Sequence, residues 1–89
     1  MTWNPIKARS NLRKHGVSFD EAATVFQDDL ARIHDDPDHS LGEHREIIVG
    51  YSALGRLLLV SFTESDEVVR IITARLTDTR ERRNHEENR

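Results

Sequence analysis

Eighty-nine residues, 36% hydrophobic and 33% charged, with a mean hydropathy of -0.66, can bury one modest core, which excludes a deep enclosed catalytic cavity. The absence of cysteine excludes disulfides, a thiol nucleophile and a cysteine-based zinc site, and points to a reducing compartment, the cytoplasm by default. A net charge of -3 argues against a generic nucleic-acid binder, yet eleven of the thirteen cations are arginine, the residue suited to planar, bidentate contact with phosphate or carboxylate.

In chain order, Asn4 before Pro5 reads as an N-cap and first helical residue, so a helix from Pro5 to His15 closes at Gly16. Ala8, Leu12 and His15 fall on one stripe of it, and Lys7, Asn11 and Lys14 form a second, polar and basic stripe. Gly16 suits the left-handed residue beyond a helix end, and Lys14 with His15 complements the negative end of the dipole. Ser18 then opens a second helix. Its hydroxyl is expected to accept the Glu21 amide while Glu21 reaches back to the Ser18 amide, and Val17 staples against Ala22. Phe19, Ala22, Ala23 and Phe26 give this helix one apolar face.

Residues 31–34 read as a short strand, and the turn-rich stretch 35–42 cannot be a central strand. Three strand-like runs follow at 44–51, 56–63 and 68–76, joined by turns at 52–55 and 64–67, which predicts an antiparallel meander. Residues 77–89 contain no apolar side chain, and Asp78 with Glu81 resembles a helix start, so a polar helix or tail outside the core is expected. The fold class is therefore α+β: two N-terminal helices on a small antiparallel sheet, made of the meander and a short first strand, then a polar C-terminal helix. One domain spans residues 1–89, with its core in 3–76 and no internal repeat. The N-terminus lacks the apolar core of a signal peptide, and the longest apolar run, 57–60, is far too short to span a bilayer.

Symmetrical closure of both hairpins aligns Tyr51, Arg56 and Arg75 across the sheet and sets Arg70 on the opposite face. Two arginines face to face repel unless an anion or acid lies between them. Either they clamp a phosphate, with Tyr51 beside them to stack on a base, or they reach into solvent and pair with acids. The Lys7, Asn11 and Lys14 stripe suits a nucleic-acid backbone, although a solvated helix face looks the same. His15 has the titration range for proton transfer, but its place on the Ala8 and Leu12 stripe equally fits a packed histidine. His34, Asp36, Asp38, His39 and His44 lack metal-ligand spacing, so no metal or cofactor is expected. No nucleophile elbow, P-loop or dinucleotide fingerprint occurs.

Taken together and in order, Trp3-Asn4-Pro5 with Lys7 and Asn11, Lys14-His15-Gly16-Val17-Ser18-Phe19 with Glu21-Ala22, His39-Ser40 with Gly42-Glu43 and Arg45, Gly55-Arg56-Leu57-Leu58, and Arg70-Ile71-Ile72-Thr73-Ala74-Arg75 with Arg80-Glu81 resemble the BrnT toxins of bacterial type II toxin-antitoxin systems. The match runs from Trp3 to about Arg83. Asn4 stands where the family usually has aspartate, and Thr73 where it usually has serine. The resemblance implies a RelE-like, metal-independent ribonuclease that halts translation. It also implies a BrnA-like antitoxin whose ribbon-helix-helix domain binds operator DNA, the toxin meeting DNA only through it. Under that resemblance Arg56, Arg70 and Arg75 become phosphate and transition-state contacts, with His15 transferring a proton. Lys7, Asn11, Lys14, Arg45 and Tyr51 become substrate-binding residues. The alternative is a non-catalytic interaction module that co-represses with a DNA-binding partner.

Overall fold

In the computed structural model, which describes residues 1–36 and 44–88, the chain opens with a two-residue strand, β1 (Thr2–Trp3), that no local sequence signal announces. Helix α1 (Pro5–His15) follows as expected. The Asn4 side chain accepts hydrogen bonds from the amides of Ile6 and Lys7, and Gly16 ends the helix at φ 69°, its amide donating to Leu12. The buried stripe of α1 is rotated from the predicted one. Leu12 is 51% exposed, and Asn11, expected on the solvated basic stripe, is buried at 6%.

Helix α2 (Phe19–Thr24) runs into a single 3-10 turn at Val25–Gln27. Phe19 and Ala22 are buried, with Ala23 and Phe26 packed against the core as predicted. Phe19 meets Trp3 edge-on at 6.0 Å, and Phe26 meets Phe62 edge-on at 5.0 Å, so both aromatic contacts bind this segment to the sheet. Only half of the expected capping box forms: Ser18 accepts the Glu21 amide, but the Glu21 carboxylate turns away to other partners.

The sheet has five strands, β2 (Arg32–Asp35), β3 (Glu46–Tyr51), β4 (Leu57–Ser65) and β5 (Val68–Leu76) joining β1 in the order β1-β5-β4-β3-β2. All neighbours are antiparallel except β1, which pairs with β5 in parallel and makes the sheet mixed. The turn-rich stretch predicted over 35–42 falls outside the described residues from position 37 onward.

Both hairpins close differently from the symmetrical expectation. Between β3 and β4, Ser52 pairs with Arg56 around a three-residue loop ending at Gly55, φ 79°, so Tyr51 faces Leu57 rather than Arg56. Between β4 and β5 only Asp66 and Glu67 form the loop, both at positive φ, and Leu59 faces Arg75. The predicted alignment of Tyr51, Arg56 and Arg75 is therefore overturned: a one-residue slip in the first hairpin exchanges faces, and in the second hairpin the tighter turn moves Arg75 two positions along and a bulge moves it one more.

A bulge adds a further correction. Ser61 pairs with Thr73 and Phe62 with Ile71, leaving Ile72 as the extra residue of β5. Alternation would send residues 70 and 75 to opposite faces. The bulge resets it, so Arg70, Thr73 and Arg75 share one face.

The other face carries the core, where Ile48, Val60 and Ala74 align beneath α1, α2 and the 3-10 turn. Gly50 lies on this face where a Cβ would come within 2.8 Å of the Ala31 side chain, so only glycine lets the segment after α2 approach. The face bearing the arginines is partly covered by helix α3 (Thr79–Glu87), which begins with a complete capping box between Asp78 and Glu81. This polar helix is not wholly outside the packing, because His85 is 3% exposed and meets the Tyr51 ring edge-on at 6.1 Å. Among the described residues no helix is long and apolar enough to cross a membrane.

Candidate nucleic-acid interface

The β4–β5 bulge sets the position of the site. Arg70 lines a cavity of about 500 Å³ with Lys7, His44, Arg45, Thr63 and Ile72. Lys7, Arg45 and Ile72 also line a neighbouring hollow of about 320 Å³, whose α1 wall adds Lys14 and His15 and whose β5 wall adds Thr73. Arg45 and Thr73 continue into a third, about 370 Å³, with Ser61, Arg75, Asp36 and Glu81. These three hollows form one continuous groove across the second sheet face and around the edge of β5, with Arg45 common to all. Five cations line it. Against these stand three carboxylates, Asp36, Glu64 and Glu81, the last paired with Arg75, so the lining keeps a positive excess that favours a polyanion despite the chain's net negative charge.

The groove gathers six of the nine predicted site residues: Lys7, Lys14, His15, Arg45, Arg70 and Arg75. Asn11 touches its α1 wall but is committed elsewhere. Its Nδ2 donates to the carbonyls of Val17 and Ala74, at 3.0 and 2.8 Å, and its Oδ1 accepts the Ala74 amide at 3.1 Å. The side chain thus replaces a missing strand neighbour of β5 and leaves no donor for a phosphate, contrary to the predicted substrate-binding role.

Arg56 and Tyr51 lie outside the groove linings. The Arg56 guanidinium pairs with Glu21 and donates to the Gly16 carbonyl, and Ser52 Oγ donates to the same carboxylate at 2.7 Å. This network ties the α1–α2 corner to the β3–β4 turn, and it explains why Glu21 abandons its capping box. Tyr51 sits under α3, its hydroxyl donating to Glu86 at 3.0 Å and its amide to Asp28 at 2.7 Å. The predicted stacking role beside two arginines is overturned by this placement.

The Glu21 side chain is 5% exposed, and the Arg56 hydrogen bonds, helped by Ser52, hold its carboxyl below the ordinary 4.5 despite burial. A carboxyl with a lowered folded-state pKa contributes stability above its unfolded value and loses that contribution as pH falls through the folded value. Glu21→Gln will therefore lower the melting temperature near neutral pH. The gap from the parent chain should shrink in melts taken below about pH 4; a gap of constant size would place the acid sensitivity elsewhere.

Arg75 is held differently. Glu81 grips it with both oxygens at 2.9 Å, raising the guanidinium's affinity for its proton and lowering the Glu81 carboxyl. Sequence reasoning missed both acidic partners, although Glu81 stands six residues past Arg75 with only one short turn between them. Of the histidines and aspartates for which no metal was expected, Asp38 and His39 fall outside the described residues. Asp35, His44 and Glu46 bring ligand atoms within 4.8 Å of one another, and His44 Nε2 lies 3.4 Å from Asp35, the distance of an ion pair when the imidazole is protonated.

A family model described as "Ribonuclease toxin, BrnT, of type II toxin-antitoxin system" matches residues 3–81. The fold also matches the crystal structure of the Brucella abortus ribonuclease toxin BrnT, with a TM-score of 0.66 at 19% identity, over 89% of this chain and 99% of that one. At that identity the likeness is one of fold. Comparison with curated proteins gives no match.

Proposed function

Because this chain belongs to the BrnT family of ribonuclease toxins of type II toxin-antitoxin systems, we propose that it cuts RNA in the cationic groove between α1 and the bulged β5. The observation that carries this reading is the bulge at Ile72, which sets Arg70 on the face of Thr73 and Arg75, opposite Lys7, Lys14 and Arg45. Its succession of cations from Lys14 through Lys7 and Arg45 to Arg70 and Arg75 suits the phosphates of a single strand.

Ribonucleotides bring their own nucleophile, the 2'-hydroxyl. Its oxygen bonds to the adjacent phosphorus, the bond from phosphorus to the 5'-oxygen breaks, and one proton leaves the attacking oxygen while another reaches the leaving oxygen. Negative charge accumulates on the phosphoryl oxygens, where Arg70 and Arg75 stabilise it without a metal ion. Lys7, Lys14 and Arg45 position the strand on either side. His15, half-buried in the wall of the same groove, serves the proton transfer. Asn11 and Arg56 serve this site indirectly, by fixing α1 against β5 and the α1–α2 corner against the β3–β4 turn.

Acting in the cytoplasm, such an enzyme inhibits translation and needs a neutralising partner, for which we propose a BrnA-like antitoxin with a ribbon-helix-helix domain. The test is direct. Purified, folded chain incubated with single-stranded RNA and excess EDTA will yield fragments ending in 2',3'-cyclic phosphate and 5'-hydroxyl, and co-expressed antitoxin will restore growth. Intact RNA, with or without added divalent metal, from a chain that still co-purifies with a DNA-binding partner would instead support a non-catalytic co-repressing module.

A further inference from the structure

Glu81 does more than neutralise Arg75. Its Oε1 accepts both the Asp78 amide and Arg75 Nη1, each at 2.9 Å, while Oε2 accepts Arg75 Nη2 at 2.9 Å. The Asp78 side chain in turn accepts the Glu81 amide at 2.8 Å, so the capping box fixes the glutamate that fixes the arginine. Arg75 Nη1 also reaches the Leu76 carbonyl at 3.1 Å.

A guanidinium has five N–H donors and more than one bidentate edge. Glu81 and Leu76 occupy the end formed by Nη1 and Nη2. The side edge, Nε–H with the second Nη2–H, makes no hydrogen bond among the described residues, and the side chain remains 39% exposed beside the hollow lined by Arg45, Ser61 and Thr73. We propose that Glu81 is a positioning residue for RNA cleavage: it holds Arg75 by one edge so that the other meets the reacting phosphate. This rests on Arg75 acting as a phosphate contact, as proposed above.

The two-edge geometry favours positioning over blocking. A carboxylate standing in for phosphate would have to leave before substrate bound, whereas here both anions fit one guanidinium. A frozen arginine needs no reorganisation as charge develops, so the grip should act on kcat rather than on substrate affinity. Side chains that orient metal ligands cost roughly 10- to 100-fold in activity when removed, and a loss of that order is expected for a carboxylate that orients an arginine.

The experiment compares single-turnover RNA cleavage by Glu81→Ala, Arg75→Ala, the double variant and Glu86→Ala, each checked for folding by thermal melting. Glu86→Ala removes the α3 contact to Tyr51 but leaves the grip on Arg75. Glu81→Ala should lower kcat about 10- to 100-fold with KM within about threefold, and should have no further effect once Arg75 is gone. Glu86→Ala should cleave at the parent rate. Glu81→Ala cleaving as fast as or faster than the parent would overturn the proposal, and so would an equal loss in Glu86→Ala, which would trace the effect to α3 docking. An Arg75→Ala chain with full activity would sink the phosphate-contact reading itself and this proposal with it.

Discussion

Asn11→Ala will cost the fold about 3 to 5 kcal/mol, the sum expected when several buried polar groups lose their partner at once. The carbonyls of Val17 and Ala74 and the Ala74 amide are all bonded by this one side chain, and both residues are fully buried. For a domain of this size such a loss is a large share of total stability and should lower the melting temperature by roughly 15 to 25 °C. Asn11→Asp separates shape from hydrogen bonding: it keeps volume and one acceptor but loses both donors and sets a carboxylate against two carbonyl oxygens. It should fall at least as far as alanine at neutral pH. A urea or thermal melt showing less than about 1 kcal/mol for Asn11→Ala would mean that α1 docks without this tie.

What the sequence made legible were features written over a few adjacent residues. The Asn4-Pro5 start, the Gly16 stop, the Ser18 cap and the Asp78 capping box all appear where local chemistry places them, because each depends on backbone groups within four residues. Four of the five strands were found for the same reason. Their registers were not, because each depends on loop geometry. Gly55 signals a left-handed position but not the three-residue loop around it, and Asp66 with Glu67 carries no glycine to mark a two-residue turn at positive φ. From those two turns followed the misplacement of Arg56 and Arg75.

The Ile72 bulge is harder still to read, since an isoleucine in a run of β-formers looks like any other strand residue. Long-range polar pairing was equally hidden. Glu21 with Arg56 is 35 residues apart and Asn11 with Ala74 is 63, and nothing local distinguishes these side chains from solvated ones. Thus six of the proposed groove residues could be chosen from chemistry and family pattern, whereas the division between substrate-facing and architectural residues required the fold.

That division makes Arg70 the sharpest probe of the groove. Arg70→Ala should lower RNA cleavage about 10²- to 10³-fold, the range seen when one preorganised donor to a developing oxyanion is removed. Arg70 is exposed and makes no hydrogen bond or ion pair among the described residues, so the melting temperature should stay within about 2 °C of the parent, as for an ordinary surface substitution. Arg70→Lys should recover only part of the loss, since lysine keeps the charge but not the fork. Arg56→Ala should behave in the opposite way. It leaves the buried Glu21 carboxylate without its cation, so the melting temperature should drop, and cleavage measured well below the melt should track the folded fraction. The contrast matters more than either result, because both residues are arginines beside glycine turns or strand ends and were equally eligible as catalysts. If Arg70→Ala cuts at the parent rate while Arg56→Ala is folded and inactive, the reacting phosphate lies at the β3–β4 turn. The bulge at Ile72 would then be irrelevant to catalysis.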